Sequence, residues 1–543
     1  MNAARLLEHF DRISDAADAV HRLRRFVLDL AVRGKLVEQD PADASAQDLL
    51  ISIAARKGSA ISSRSTPASP KKGSSIEPWC SIPNSWIYVR LDEITNVVMG
   101  SSPPGSTYNT SGEGIPLING PVEFTAGPFG RTRVNQYTTA PTAFCDEGDF
   151  LICVRGSTTG RTNIAAFRAC IGRGVAAIQP LFPDQFVRLA IRVRQEAILQ
   201  MGRGIAFPSI SREQLAGLPI PLPPLAEQQR IVAKVDELMA LCDRLEAAQA
   251  EREARRDRLV AASLARVSQP AAADAGSDAR TAAFHLDHFA RLTTRPEHVK
   301  HLRQTILNLT VRGRLVPQDP ADRPSTSVSA SNVDEDTDKR LVMDLPAGWH
   351  WVRVRDVADA RLGKMLDKAK NRGREYPYLR NTNIHWFDVR LDEIKTMALS
   401  DEEAPAFLLA DGDVLICEGG HGIARTAVWR DQVPNMVFQK ALHRVRPGKA
   451  LQCDFFAYCI NVYFDANVLQ RLFTGVGIPH FTGVALSKLV FPLPPLAEQR
   501  RIVAKVDELM ALCDQLEASL AAAATDRARL LESLLHEALA PAA

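Results

Sequence analysis

Apolar positions along this chain follow two patterns, and each pattern appears twice. Ile231, Val235, Leu238, Cys242 and Leu245 advance by alternating steps of four and three residues. Ile502, Val506, Leu509, Cys513 and Leu516 do the same. That spacing predicts a helix with a coiled-coil seam. The seam lapses at Gln249, Arg252 and Arg256, resumes at Leu259, and in the second copy runs on through Leu520, Leu530 and Leu534. The alternative for either stripe is an ordinary two-helix core contact. Ahead of each stripe the pattern shortens. Ile82 to Ile94 and Leu345 to Val357 each open with Pro-x-x-Trp and pass into alternating residues, which predicts a turn and a short strand. Gly148 to Ser157 (GDFLICVRGS) and Gly412 to His421 (GDVLICEGGH) each predict a Gly-Asp turn, a buried strand and a Gly-bearing loop.

These parallels are a duplication. Pro221 to Ala247 recurs as Pro492 to Ala518 with two differences, Gln229 against Arg500 and Arg244 against Gln515. Repeats of this kind decide architecture before other signals do. His9 to Asp43 pairs with His288 to Asp322, both ending in VRG(K/R)LV and QDPAD. Gly34 and Gly313 read as helix C-terminal glycines, with Pro41 and Pro320 after them. Pro224 and Pro495 suit a first helical position, and Glu227 and Glu498 fall in the first turn, where the helix dipole favours an acid. GIAFPSIS (Gly204 to Ser211) parallels GVGIPHFT (Gly475 to Thr482), while the rest of the two inserts shows little register. Polar stretches from about Ser52 to Ser75, Gln269 to Ala279 and Arg323 to Arg340 read as linkers, because their composition builds no core.

Composition narrows the class. The 543 residues exceed one core and carry 46% hydrophobic and 24% charged residues with a net charge of +3. So small a charge leaves room for local basic patches. Nine cysteines occur without CxxC spacing, which argues for a reduced protein and against zinc. No apolar run suits a signal peptide or a membrane span, and a cytoplasmic location is expected. There is no P-loop, no Asp/Asn-Pro-Pro-Tyr/Phe run of an adenine methyltransferase, and no cofactor-binding glycine fingerprint. No catalytic residue and no metal site is assigned.

The repeated PLPPLAEQxRIVxKVDELxxLCDxLE, the Pro-x-x-Trp openings and the GD-(F/V)-LIC strands resemble the specificity subunits of Type I restriction–modification systems, over nearly the whole chain. The resemblance implies an α+β fold. It has two globular α/β target recognition domains, separated by long conserved helices that form an antiparallel coiled coil, and an internal pseudo-two-fold repeat. On this chain that gives a helical region and linker at 1–82 and a first recognition domain at 83–220. A central helical region and linker follow at 221–345, then a second recognition domain at 346–491 and a C-terminal helix at 492–543. The implied role is to read the two halves of an asymmetric split DNA target, the helices setting the gap. The implied partners are double-stranded DNA, two methyltransferase subunits and two restriction subunits. S-adenosylmethionine would belong to the methyltransferase subunits, ATP and Mg to the motor–nuclease subunits, and no cofactor to this chain. A coiled-coil scaffold without DNA preference, or a self-sufficient nuclease or methyltransferase, remains the alternative.

Candidate DNA contacts follow from residue chemistry. In the first insert, Arg155, Gly156, Ser157, Thr158, Thr159 and Arg161 combine guanidinium groups, hydroxyls and flexible backbone, and Arg131 and Arg133 form a second cluster. Arg173 and Arg203 are further candidates. In the second, Arg361 to Arg390 holds eight basic residues against three acids. Lys364, Lys368, Lys370, Arg372 and Arg374 crowd there with Tyr376, Tyr378 and His385 nearby, which suits a phosphate-tracking surface. Arg380, Asn381 and Asn383 have side chains that read base edges. Glu418 is an acceptor for a cytosine amine, and Arg425 suits phosphate or guanine. Gln439, Lys440 and His443 are set against plain strand packing, and His421 reads as a polar loop residue. Each cluster has a solvated surface loop as its alternative. The spacer and partner helices are marked by Ile231, Val235, Leu238 and Leu245, and by Ile502, Val506, Leu509 and Leu516.

Overall fold

The computed structural model describes residues 16, 18–61, 77–125, 130–202, 209–268, 293–323, 345–367, 371–475 and 477–539. The chain divides into two compact units, Met1–Glu251 with Ala524–Ala543, and Arg252–Ala523. The two long helices, Leu225–Ser268 and Leu496–Leu539, have 44 residues each, about 66 Å at 1.5 Å per residue. Each begins in one unit and ends in the other. Pro224 and Pro495 lie one residue ahead of these helices rather than inside them.

In the first unit, the short helix Ala19–Val32 buries Val27 and Ala31 against Ile231 and Val235 of the first long helix, with Trp86, Phe186 and Leu189 completing the cluster. Leu238 packs at its edge and Leu245 is half-buried. Leu531 and Leu534, near the end of the second long helix, cover Ala16 and Ala19. In the second unit, Val299, Ile306 and Leu307 of the helix Pro296–Val311 share a core with Ile502, Val506 and Cys513, while Leu509 and Leu516 pack on it. At the end of the first long helix, Asp257 pairs with Arg295 and with the His298 ring at 2.8 Å. The first turns of both apolar stripes therefore face a short helix and the adjoining domain. For those turns the two-helix core contact is the arrangement found.

Gly34 and Gly313 end their helices at φ +66° and +64°. A Cβ on either would overlap the ring of Pro83 or Pro346, so each glycine also lets the helix end press on the Pro-x-x-Trp turn. That turn closes by Trp86 N–H donating to Pro83 O at 3.0 Å and Trp349 N–H to Pro346 O at 3.1 Å. The strands after it, Ile87–Arg90 and His350–Arg353, pair antiparallel with Pro219–Leu222 and Val490–Leu493.

Each unit then builds the same four-stranded sheet. In the first its order is Thr95–Met99, Val175–Pro180, Phe150–Cys153, Thr162–Ile164; in the second, Ala358–Leu362, Leu442–Pro447, Val414–Cys417, Thr426–Val428. Phe150–Cys153 and Val414–Cys417 are buried throughout, as their apolar runs predict. The outer sheets differ. The first unit has five strands including the parallel pair Ile115–Ile118 and Ala169–Ile171. The second has three, with Arg374–Leu379 parallel to Val437–Phe438, and a separate two-stranded ribbon. One linker expectation is corrected. The stretch from Ser52 opens inside the helix Ala46–Ile61, whose Ile53 is buried in the first unit's core. Its later part, and most of the other two linkers, lie outside the described residues.

Candidate nucleic-acid interface

The clearest candidate surface is the loop that joins the third and fourth strands of the repeated sheet. In the first unit, residues 154–161 make a tight hairpin loop. Gly160 N–H donates to Cys153 O at 2.8 Å, Cys153 N–H to Arg161 O at 2.8 Å, and Arg161 N–H to Thr158 O at 3.0 Å. Gly156 and Gly160 have φ of +82° and +86°, the left-handed region that glycine enters freely. This geometry turns Arg155, Ser157 and Arg161 outward. Thr158 is half-buried. Thr159 is corrected as a phosphate contact: it is 4% exposed and its hydroxyl donates to Gly156 O at 2.7 Å.

Arg131 lies beside this hairpin, because the segment at 130–132 pairs in parallel with Ile164. It is exposed and 3.5 Å from Glu147, an ion pair open to water. Arg133 is exposed, and its side chain donates to Val122 O at 3.2 Å. Arg173 is exposed on the turn before Val175–Pro180. Arg203 lies outside the described residues.

The second unit repeats the hairpin with different side chains. Ala424 N–H donates to Cys417 O at 2.9 Å, and Cys417 N–H to Arg425 O at 2.9 Å. Gly420 and Ala424 hold φ of +77° and +64° where the first loop has Gly156 and Gly160. Arg425 therefore matches Arg161, and Glu418 matches the buried Val154. Asn381 is brought to this loop from a distant part of the sequence, its main-chain oxygen 3.7 Å from Cys417 Sγ. Burial pushes the thiols that begin the two loops up, Cys153 to about 11 and Cys417 to about 12, so neither is a poised nucleophile.

Several expected contacts in the second unit have other occupations. Lys364 is largely covered and bonded to Glu403 at 2.6 Å, above the Phe407 ring. Arg380 pairs with Glu393 at 2.8 Å. Asn383 is buried and donates to Arg390 O at 2.9 Å, so it fastens a turn rather than reads a base. Tyr376 and Tyr378 are buried in an apolar cluster, not set on the surface beside the basic residues. His443 is buried too, bonded to Phe481 O at 2.8 Å, and burial lowers its pKa. Arg372 and Arg374 remain exposed, as does Lys440, and Gln439 is half-buried. Lys368 and Lys370 lie outside the described residues.

Sequence reasoning passed over His480. Its ring Nδ1 lies 3.1 Å from both carboxylate oxygens of Glu418. The signal was present in the parallel between GIAFPSIS and GVGIPHFT, where Ser209 and His480 hold the same place.

Among the described residues no group of three His, Cys, Asp or Glu is placed to hold a metal ion, and no helix is long and apolar enough to cross a membrane. Two loops of one backbone form and unlike side chains thus stand on a repeated frame. Residues 83–254 and 346–525 match the model of the Type I restriction modification DNA specificity domain. The chain belongs to that family, and it is a specificity subunit, the non-catalytic recognition component of a Type I system. It is 27% identical over 565 residues to the Type I restriction enzyme EcoAI specificity subunit of Escherichia coli, covering 96% of this chain and 94% of that one. It is 25% identical to the EcoEI specificity subunit of the same species, over 96% and 94%. The crystal structure of the HsdS subunit from Thermoanaerobacter tengcongensis overlays with a TM-score of 0.44 and 19% identity, covering 86% of this chain and 99% of that one. The assignment rests on the sequence matches.

Proposed function

We propose that the chain reads an asymmetric, bipartite double-stranded DNA target, each recognition domain taking one half. The observation that carries this reading is the repeated hairpin. Its backbone and its last arginine recur, exposed at Arg161 and half-buried at Arg425, while its other side chains differ. Shared groups suit the shared phosphate backbone, and unlike groups suit unlike base edges. Arg155, Ser157, Arg161, Arg131 and Arg133 are the contacts of the first domain. Arg372, Arg374, Asn381 and Arg425 are those of the second.

The two long helices act as the spacer, packed as an antiparallel coiled coil, and dock two methyltransferase subunits on their repeated faces. S-adenosylmethionine binds in those subunits, which flip the target adenine out of the stack. Two restriction subunits, with ATP and Mg, complete the assembly in the cytoplasm. This chain contributes positioning: it fixes which adenines come within reach and by how many base pairs they are separated.

The test is a map of methylated adenines in DNA from cells expressing this chain with its cognate methyltransferase subunit. A split asymmetric motif that vanishes without this chain is expected. No motif, or one that persists without the chain, would return the protein to a scaffold role.

A further inference from the structure

The Glu418–His480 pair and its surroundings differ from the first unit at three positions that touch one another. The framework there is the same. Val154 O accepts from Ile210 N–H at 2.9 Å, and Glu418 O accepts from Phe481 N–H at 2.7 Å. Arg155 bridges Ser209 in one unit, and Gly419 bridges His480 in the other. Thus Val154, Arg155 and Ser209 stand where Glu418, Gly419 and His480 stand in the second unit.

The three differences depend on one another sterically. A Cβ on Gly419 would come within 2.9 Å of His480 Nδ1 and 3.2 Å of Pro479 O. Gly419 has an extended backbone, φ −167°, that any residue adopts, so it is the space taken by the His480 ring and by Pro479 O, not the conformation, that favours glycine there. With the small Ser209 instead, the first unit has room for Arg155. Glu418 lies where the other unit buries Val154, and its carboxylate there meets the His480 ring.

The side chains of His480 and Glu418 are 44% and 20% exposed, so the ring lies open to water while the carboxylate is largely covered. An acid at a DNA-facing loop is repelled by phosphate unless an amine on a base edge meets it. Asn381, whose amide nitrogen lies 3.7 Å from the place a Cβ of Gly420 would take, supplies a second base-reading group at the same loop.

We infer that Glu418, positioned by His480, is a specificity-determining acceptor for the exocyclic amine of a cytosine or adenine in the half-site read by the second recognition domain. Glu418 takes the amine hydrogen, His480 fixes the carboxylate's orientation, and Gly419 gives the ring its space. The inference rests on the proposed reading of a split target.

The experiment maps methylated motifs from a randomised plasmid library with the cognate methyltransferase subunit and the full chain carrying Glu418→Gln, His480→Ser or His480→Asn. Glu418→Gln keeps size but offers an amide donor. It should cut discrimination at one base pair of one half-site roughly tenfold, the scale of a single good base contact. His480→Ser and His480→Asn should relax the same base pair by less, because the acid stays but is no longer oriented. The other half-site should be unchanged. A uniform loss of methylation with base preference intact in all three variants would make the pair structural and overturn the inference, as would an unchanged motif. A wild-type chain that yields no split motif would instead overturn the proposed function itself.

Discussion

Trp349 donates its indole N–H to Glu498 at 3.0 Å, the same distance at which Trp86 donates to Glu227 in the first unit. Gln318 and Gln39 bond the other carboxylate oxygen at 2.6 and 2.5 Å. Arg501 and Arg230 then pair with Asp322 and Asp43 at 2.6 and 2.7 Å. In each unit one buried glutamate thus ties the QDPAD turn, the Pro-x-x-Trp turn and the long helix together. This explains why those three short motifs recur while the inserts diverge. Desolvation raises the pKa of both glutamates. Replacing Glu227 by Ala orphans a buried indole donor, and should destabilise the junction by about 1–3 kcal/mol. Hydrogen exchange localised to residues 77–90 and 225–240 should show it. Unchanged protection there would mean that the tryptophan finds another acceptor.

The two Gly-Asp turns make a matched pair with opposite electrostatics. Asp413 is buried and held by Arg446 through two bonds, at 2.7 and 2.6 Å. Asp149 sits at the same place, but its partner is Gln179 at 3.1 Å, and burial raises its pKa. A carboxyl whose folded pKa is raised adds stability below its unfolded pKa and loses it as pH rises through the folded value. At neutral pH the Asp149 charge is therefore a cost. Asp149→Asn, whose oxygen accepts the same bonds from Asp146 N–H and Gln179, should match or exceed the wild type at pH 7. That advantage should vanish toward pH 4. Asp413→Asn should destabilise at pH 7 by about 1.5–3 kcal/mol, since it removes the charge from a buried carboxylate that Arg446 holds through two bonds. Thermal unfolding at both pH values checks the sign, and a loss for Asp149→Asn at pH 7 would contradict it.

Arg161 and Arg425 close the two hairpins at matching positions, and on the proposed reading they meet something both half-sites share. Each alanine substitution should weaken binding alike on cognate and unrelated duplexes, and lower the slope of log K against log salt by about 1. Arg155→Ala, at a position where the units differ, should instead change the ratio of cognate to unrelated binding. Fluorescence titrations of the full chain with its methyltransferase subunits across a salt series separate the two effects. An altered ratio for Arg161→Ala would move it from backbone to base contact.

What was legible in the sequence was local. The helix-ending Gly34 and Gly313, the Pro-x-x-Trp turns and the buried LIC strands all follow from neighbours within a few residues, and each stands where its pattern places it. The candidate surface was legible only in part, because pairing across the chain decides which charges stay free. Lys364 looks like a member of a basic run until Glu403, 39 residues on, takes it. Asn383 looks like a base reader until the carbonyls of Arg390 and Glu393 take its amide. Tyr376 and Tyr378 did carry a readable signal: two residues apart on one strand, they share a face, and that face is buried. The apolar stripe at Ile231 and Val235 has the spacing of a coiled-coil seam, yet periodicity names a face and not the partner, which here is the helix Ala19–Val32.

The long helices offer the most direct test of the spacer. Ile231, Val235 and Cys242 are buried near the start of the first, and Val260 and Leu264 near its end, while the turns from Asp243 to Leu259 are mostly exposed. A deletion between these anchors changes length without removing either. Four residues, close to one helical turn, span about 6 Å, or on the order of two base pairs of B-DNA. Making the cut within residues 246–256, together with the matching cut at 517–527, keeps the two helices equal. The methylation map should then show the same two half-sites at a shorter gap. A motif whose half-site bases change, with the gap intact, would show that these helices do not measure the separation. Loss of all methylation, with circular dichroism unchanged, would place methyltransferase docking on the deleted turns.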